Sequence, residues 1–161
     1  MDAYIGNTLV ARDESGIDRL TVIDNEECLT QYKLGELWWS NRKEADEDFT
    51  SEMVKYVTQL NVCKDICFIK KAGWEVPSLI VLHFRVVTQF LKLAVELQLK
   101  LKDIGLLATG RYKKYPSLNL LDMVNASDRK NGDDAFVKSV RTKMEEGLKE
   151  FVQKVYKHRV G

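Results

Sequence analysis

The sequence predicts a mainly α-helical, single-domain bundle (1–161) around one long central helix, about 78–105, with a small N-terminal β-hairpin at about 3–24. Three observations carry this. Between Ser78 and Gly105 the polar residues Arg85, Gln89, Lys92, Glu96, Lys100 and Asp103 recur at steps of four and three, the spacing of one line along an α-helix. Nearly everything around that line is apolar, from Leu79 and Ile80 through Phe90 and Leu93 to Leu101, so the helix must be surrounded by protein. Near the C-terminus, Phe136, Val137, Val140, Met144, Leu148, Phe151, Val152 and Val155 repeat the same three-four pattern.

Each element has its own signals. In the hairpin, Tyr4, Ile5, Leu9 and Val10 precede the turn Asp13-Glu14-Ser15-Gly16, and Leu20, Val22 and Ile23 follow it. A helix at about 26–44 would bury Leu29, Tyr32, Leu37 and Trp38. A second, at about 51–62, starts at Thr50 or Ser51 as N-cap, with Glu52 at the positive end of the dipole. The segment 66–69 reads equally as its continuation or as a short strand. The central helix follows, with Ser78 as N-cap, Gly105 as C-terminal stop, and Leu93 and Leu97 opposite the polar line and so fully buried. Strict alternation from Leu91 to Leu101 also suits a strand, but these residues are helix formers rather than β-branched, and the polar line spans the whole segment. At 1.5 Å per residue such a helix would be about 40 Å long. A loop, a short helix at about 118–125 capped by Ser117 and an exposed Asn-Gly turn lead to the last helix, about 133–158. Gly147 interrupts that helix at roughly 1 kcal/mol relative to alanine.

Composition narrows the class. With 161 residues, 45% hydrophobic, and only two prolines, the chain suits one folded domain. Asp2, Asn7 and Arg12 interrupt any signal-peptide core, and the charges inside 78–105 argue against a membrane span. Three cysteines, Cys28, Cys63 and Cys67, suit free thiols in a reducing compartment, cytoplasmic or nuclear. Residues 1–80 hold 9 Lys+Arg against 15 Asp+Glu and residues 81–161 hold 16 against 9. That asymmetry suits contact with a polyanion, or head-to-tail self-association.

Most catalytic templates lack parts. His83 and His158 have no sequence-adjacent nucleophile, and Cys63-x-x-x-Cys67 has no second pair to complete a zinc site. Gly105 and Gly110 have P-loop spacing, but Arg111-Tyr112 follows where Lys and Ser or Thr are needed. The acidic run Glu44, Asp46, Glu47, Asp48 lacks the spaced ligands of a calcium loop. No metal or cofactor is expected.

The strongest binding signal is Arg111-Tyr112-Lys113-Lys114-Tyr115, where cations could neutralise phosphates and tyrosines stack on unpaired bases. Arg129 and Lys130, with Lys154, Lys157 and Arg159, would extend the basic surface. The competing account is a solvated loop whose tyrosines pack back on the core. Trp38-Trp39 point about 100° apart on a helix, which suits one ring at a protein interface and, equally, both rings buried between layers. The expected function is therefore a non-enzymatic intracellular binding or assembly protein of viral or phage-like profile. It would self-associate and contact single-stranded nucleic acid through its basic C-terminal half. The alternatives are an adaptor or inhibitor using Trp38, Trp39 and the acidic first half, and an enzyme whose site is assembled from distant residues.

Overall fold

A computed structural model describes residues 8–12, 18–22, 42–112, 115 and 118–156. The remainder of the expected hairpin, helix 26–41, Cys28, Trp38, Trp39, Lys113, Lys114, Ser117, Lys157, His158 and Arg159 lie outside the described residues. The chain divides into two units, 1–34 and 35–161. In the first, β1 (Thr8–Arg12) and β2 (Asp18–Val22) pair antiparallel, with Thr8 opposite Val22 and Arg12 opposite Asp18.

The second unit is mainly helical: a 3-10 turn at Lys43–Asp46, then α1 (Ser51–Gln59), α2 (Val62–Lys71), α3 (Ser78–Glu96), α4 (Leu101–Ala108), α5 (Leu120–Asn125) and α6 (Gly132–Val155). Of the expected helix at 26–44, the described end lies in that 3-10 turn, which Arg42 enters in extended conformation. The expected helix 51–62 stops at Gln59, because the Asn61 side chain accepts the Lys64 N–H at 3.1 Å and starts a new helix. Residues 66–69 belong to that helix. Thr50 caps α1 in the same way, accepting the Met53 N–H at 3.2 Å. The cap of α5 is Asn119, which accepts the Asp122 N–H at 2.9 Å. Ser78 is the first helical residue of α3 and not its cap; Pro77 holds that position.

The largest departure is in the centre. The expected single helix 78–105 is two helices, broken at Leu97–Lys100, and Gly105 is buried inside α4 rather than ending anything. At the break, the Leu99 N–H donates to the Ala94 carbonyl and the Gln98 N–H to the Val95 carbonyl, with Gln98 left-handed at φ 58°. This is the Schellman pattern of helix termination, in which the buried residue after the left-handed one seals the end. Leu99, at 0% exposure, is that seal. The same bond pair ends α2 at Gly73 (φ 88°) and α4 at Gly110 (φ 70°). Three helices therefore stop by one device, twice with the usual glycine and once with glutamine.

The core lies where α3 crosses α6, with α5 against α6 and α1 and α2 against α3. Phe90, Leu93 and Ala94 of α3 face Val140, Met144, Leu148 and Phe151 of α6, and Leu99, Ile104 and Leu107 close one end. Leu93 is buried as expected, but Leu97 is only half-buried, because it is the capping residue just past the end of α3 rather than mid-helix. Gly147 is buried, and a Cβ there would stand 2.5 Å from the Met123 Cε. The absent side chain is what lets α5 lie close against α6.

Breaking the central helix also redistributes its polar line. Arg85 reaches Asp134 at the start of α6, at 2.5 Å, and Lys100 reaches Asp46 at 3.0 Å. Asp103 accepts the Tyr156 hydroxyl proton.

Candidate nucleic-acid interface

The described members of the basic set fall at two ends of α6. Arg111, Tyr112, Tyr115 and Lys154 gather near its C-terminus, and Arg129 and Lys130 precede its N-terminus. Phe136, the ring beneath Arg129 (4.9 Å from the guanidinium carbon), and Lys154 are 18 positions apart in the sequence, about 27 Å along a helix. The described cations therefore form two clusters.

At the C-terminal cluster the backbone dictates the arrangement. Gly110 turns the chain out of α4, the Arg111 N–H closes the Schellman motif on Leu106, and the Tyr115 N–H bonds the Tyr112 carbonyl in a tight turn. That turn stacks the two tyrosine rings, with centroids 5.9 Å apart and planes inclined 13°. Both stand edge-on to fully buried Phe151, at 4.8 Å for Tyr112 and 6.4 Å for Tyr115, and Tyr156 also meets Phe151 edge-on at 6.2 Å. The rings are half-buried and packed on the core, the arrangement of the competing account. Arg111 is exposed, and the Lys154 ammonium sits 5.4 Å from the Tyr115 ring centre while pairing with Glu150.

Beside the rings lies a carboxyl that the sequence did not single out as a site residue. Burial pushes the Asp103 pKa up, against the hydrogen bond from Tyr156, which pulls it down. Burial, followed by the fields of Asp103 and Tyr115, pushes the Tyr112 phenol up. Exposed Asp46 shifts the other way, lowered by its hydrogen bond and charge pairing with Lys100 and then by Lys102. The two carboxylates give opposite pH dependences. Folded Asp103 holds its proton more readily than the unfolded chain does, so its contribution to stability falls as pH rises from 3.8 through its raised value. Asp46 contributes stability above 3.8 that is lost as pH falls through its lowered value. Asp103→Asn keeps an acceptor for Tyr156, so the variant should lose the decline in melting temperature above pH 3.8. Thermal melts across acid and neutral pH check this; an unchanged decline would place its origin elsewhere.

Cys63 and Cys67 are both exposed on α2, one turn apart, and among the described residues no group of three metal-ligating side chains converges. α3 is long and apolar enough to cross a membrane, and a third (33%) of that stretch is buried here.

No protein-family model matches the chain, and no solved structure does. The chain is similar to phosphatidylinositol 4-kinase gamma 4 of Arabidopsis thaliana, at 31% identity over 105 residues, 65% of this chain and 19% of the kinase. It is 33% identical to phosphatidylinositol 4-kinase gamma 3 of the same plant over 93 residues, covering 56% and 16%. Phosphatidylinositol 4-kinase gamma 4 of Oryza sativa subsp. japonica matches at 31% over 65% of this chain and 19% of its own length. The chain thus spans about a fifth of the curated relatives it matches.

Proposed function

We propose that this chain is a divergent piece of a phosphoinositide-kinase-type phosphotransferase, carrying acidic and amide residues that would hold the metal ions and transferred phosphate. The observation that carries the reading is the similarity to three phosphatidylinositol 4-kinases, joined to a spacing in the first residues. Kinase catalytic loops read Asp-x-x-x-x-Asn, with Asp as base and Asn on a metal, and a further Asp follows in the Asp-Phe-Gly element. Here Asp2-Ala-Tyr-Ile-Gly-Asn7 has that spacing, and Asp24 comes two positions after β2. Two carboxylates and an amide carbonyl are the hard oxygen donors that Mg2+ accepts. When bound, the metal would neutralise charge on the transferred phosphate, and Asp2 would accept the proton of the attacking hydroxyl. The chain departs from the template after Asp24, where Asn25 and Glu26 stand in place of Phe and Gly.

The test is paramagnetic broadening of the protein's NMR signals by Mn2+ with ADP. Broadening centred on Asp2, Asn7 and Asp24, and lost in Asp24→Asn, supports the reading. Absent or uniformly spread broadening removes it.

A second reading, a self-associating protein that contacts single-stranded nucleic acid, is favoured by exposed Arg111 beside the Tyr112–Tyr115 pair, with Lys154 over one ring. Here Arg111, Lys113 and Lys114 would contact phosphates, and removing them would flatten the salt dependence of binding by about three released ions. Fluorescence anisotropy on single strands and duplexes checks it; no binding at low salt excludes it.

A further inference from the structure

We infer that the outer face of α2 and the loop after it form a docking surface for an anionic phospholipid bilayer. α2 turns one side to α3, where Ile66 is buried and Val62 and Ile69 are half-buried. On the opposite side Lys64, Phe68 and Lys71 stand at i, i+4 and i+7, one line along the helix, and all are exposed. The Schellman turn at Gly73 then presents Trp74, and Lys70, Trp74, Glu75 and Pro77 are among the residues lining a shallow groove there.

The patch combines strong exposure with closeness in sequence, whereas the other exposed large apolar side chains, Met53, Tyr56, Val87 and Leu121, lie on other elements. Phe68 is 74% exposed and Trp74 66%, while Leu79, in the first turn of α3, adds 42%. Isolated apolar residues on a surface need no explanation, but two large aromatics within seven positions, with Lys70 and Lys71 between them and Lys64 one turn before, do. A bilayer interface takes that combination: aromatic rings enter at headgroup depth while lysine stems lie along the boundary and their ammonium groups meet lipid phosphates. Asp65 lies off the Lys64–Phe68–Lys71 line, and Glu75 follows Trp74. The charge on the line itself is wholly positive, which favours an anionic surface over a neutral one. Choosing a lipid rather than a protein occupant also rests on the phosphoinositide reading above.

Vesicle co-sedimentation of the full chain tests it, comparing pure phosphatidylcholine with phosphatidylcholine carrying about 30% phosphatidylserine, a charge density that attracts clustered lysines. Binding to the anionic vesicles should exceed binding to the neutral ones. Replacing Lys64, Lys70 and Lys71 together by alanine should weaken it on the order of 100-fold, at about 1 kcal/mol per lysine. Phe68→Ser with Trp74→Ser should weaken it at least about tenfold. All five side chains are exposed, so both variants should melt as the parent does, which separates lost contact from lost fold. Wild-type protein that stays in the supernatant, equal binding to both vesicle types, or variants that bind as tightly as the parent would each overturn the inference. So would self-association abolished by the aromatic substitutions without vesicle binding, since the surface would then be a copy-to-copy contact. The Mn2+ experiment needs no vesicles and reads residues 2–24, so either proposal can fail alone.

Discussion

Phe151→Ala should lower the unfolding free energy by roughly 3–5 kcal/mol, the range for truncating a buried phenylalanine. Phe151 has 0% exposure and is in edge contact with both tyrosines of the turn after α4 and with Tyr156. Its removal would leave a cavity and undo three edge contacts, each worth about 0.5–1.5 kcal/mol beyond area burial. Chemical denaturation measures the loss, and tyrosine fluorescence should report release of Tyr112 and Tyr115. A loss under about 1 kcal/mol would mean that the turn does not pack where it is described.

The second large effect is expected at the break between α3 and α4. Leu99→Ala should cost about 2–5 kcal/mol, because it empties a fully buried site and unseals the helix end. Leu97→Ala, two positions earlier, should cost clearly less, since Leu97 is half-buried. A continuous helix 78–105 would give the opposite ranking. Gln98→Gly sharpens the comparison. A left-handed residue with a Cβ is strained by about 1–2 kcal/mol, more than the roughly 0.5–1 kcal/mol of chain entropy that glycine adds. That variant should therefore melt higher than the parent, whereas glycine in mid-helix would melt lower. Thermal denaturation of the three variants decides between the two structures.

The residues explain which parts of this were legible. Local polar-apolar period located α1, α3 and α6, because each has one face against the core and one toward water, whereas the short helix at 118–125 was placed by a capping residue, with Asn119 rather than Ser117 as the cap. The Gln98 break was hidden. Helix stops are read from glycine, and here the glycine, Gly105, is mid-helix while a glutamine takes the left-handed turn. What forces the turn is burial of Leu99, a tertiary fact with no local signature. The Asn61 restart, by contrast, was readable as a capping residue in the middle of an apparent helix. At the candidate interface the residue types of the 111–115 loop were visible, but the inward direction of its rings depends on Phe151, far along the chain. The spacing of Asp2 and Asn7 was open to inspection. A spacing of two residues alone points to no chemistry, because such pairs are common in any sequence of this length.

The attachment of α2 has a consequence for how the molecule opens. This helix has one buried side chain, Ile66, and packs on α3, whereas α6 has six buried residues, from Phe136 to Phe151. In native-state hydrogen exchange, amides of α6 should exchange only when the whole unit unfolds. Those of α2 should exchange through a far cheaper local detachment, in which the α3–α6 pair stays intact. The helix bearing Phe68 can then swing or tilt as a separate foldon, at a small fraction of the global unfolding free energy.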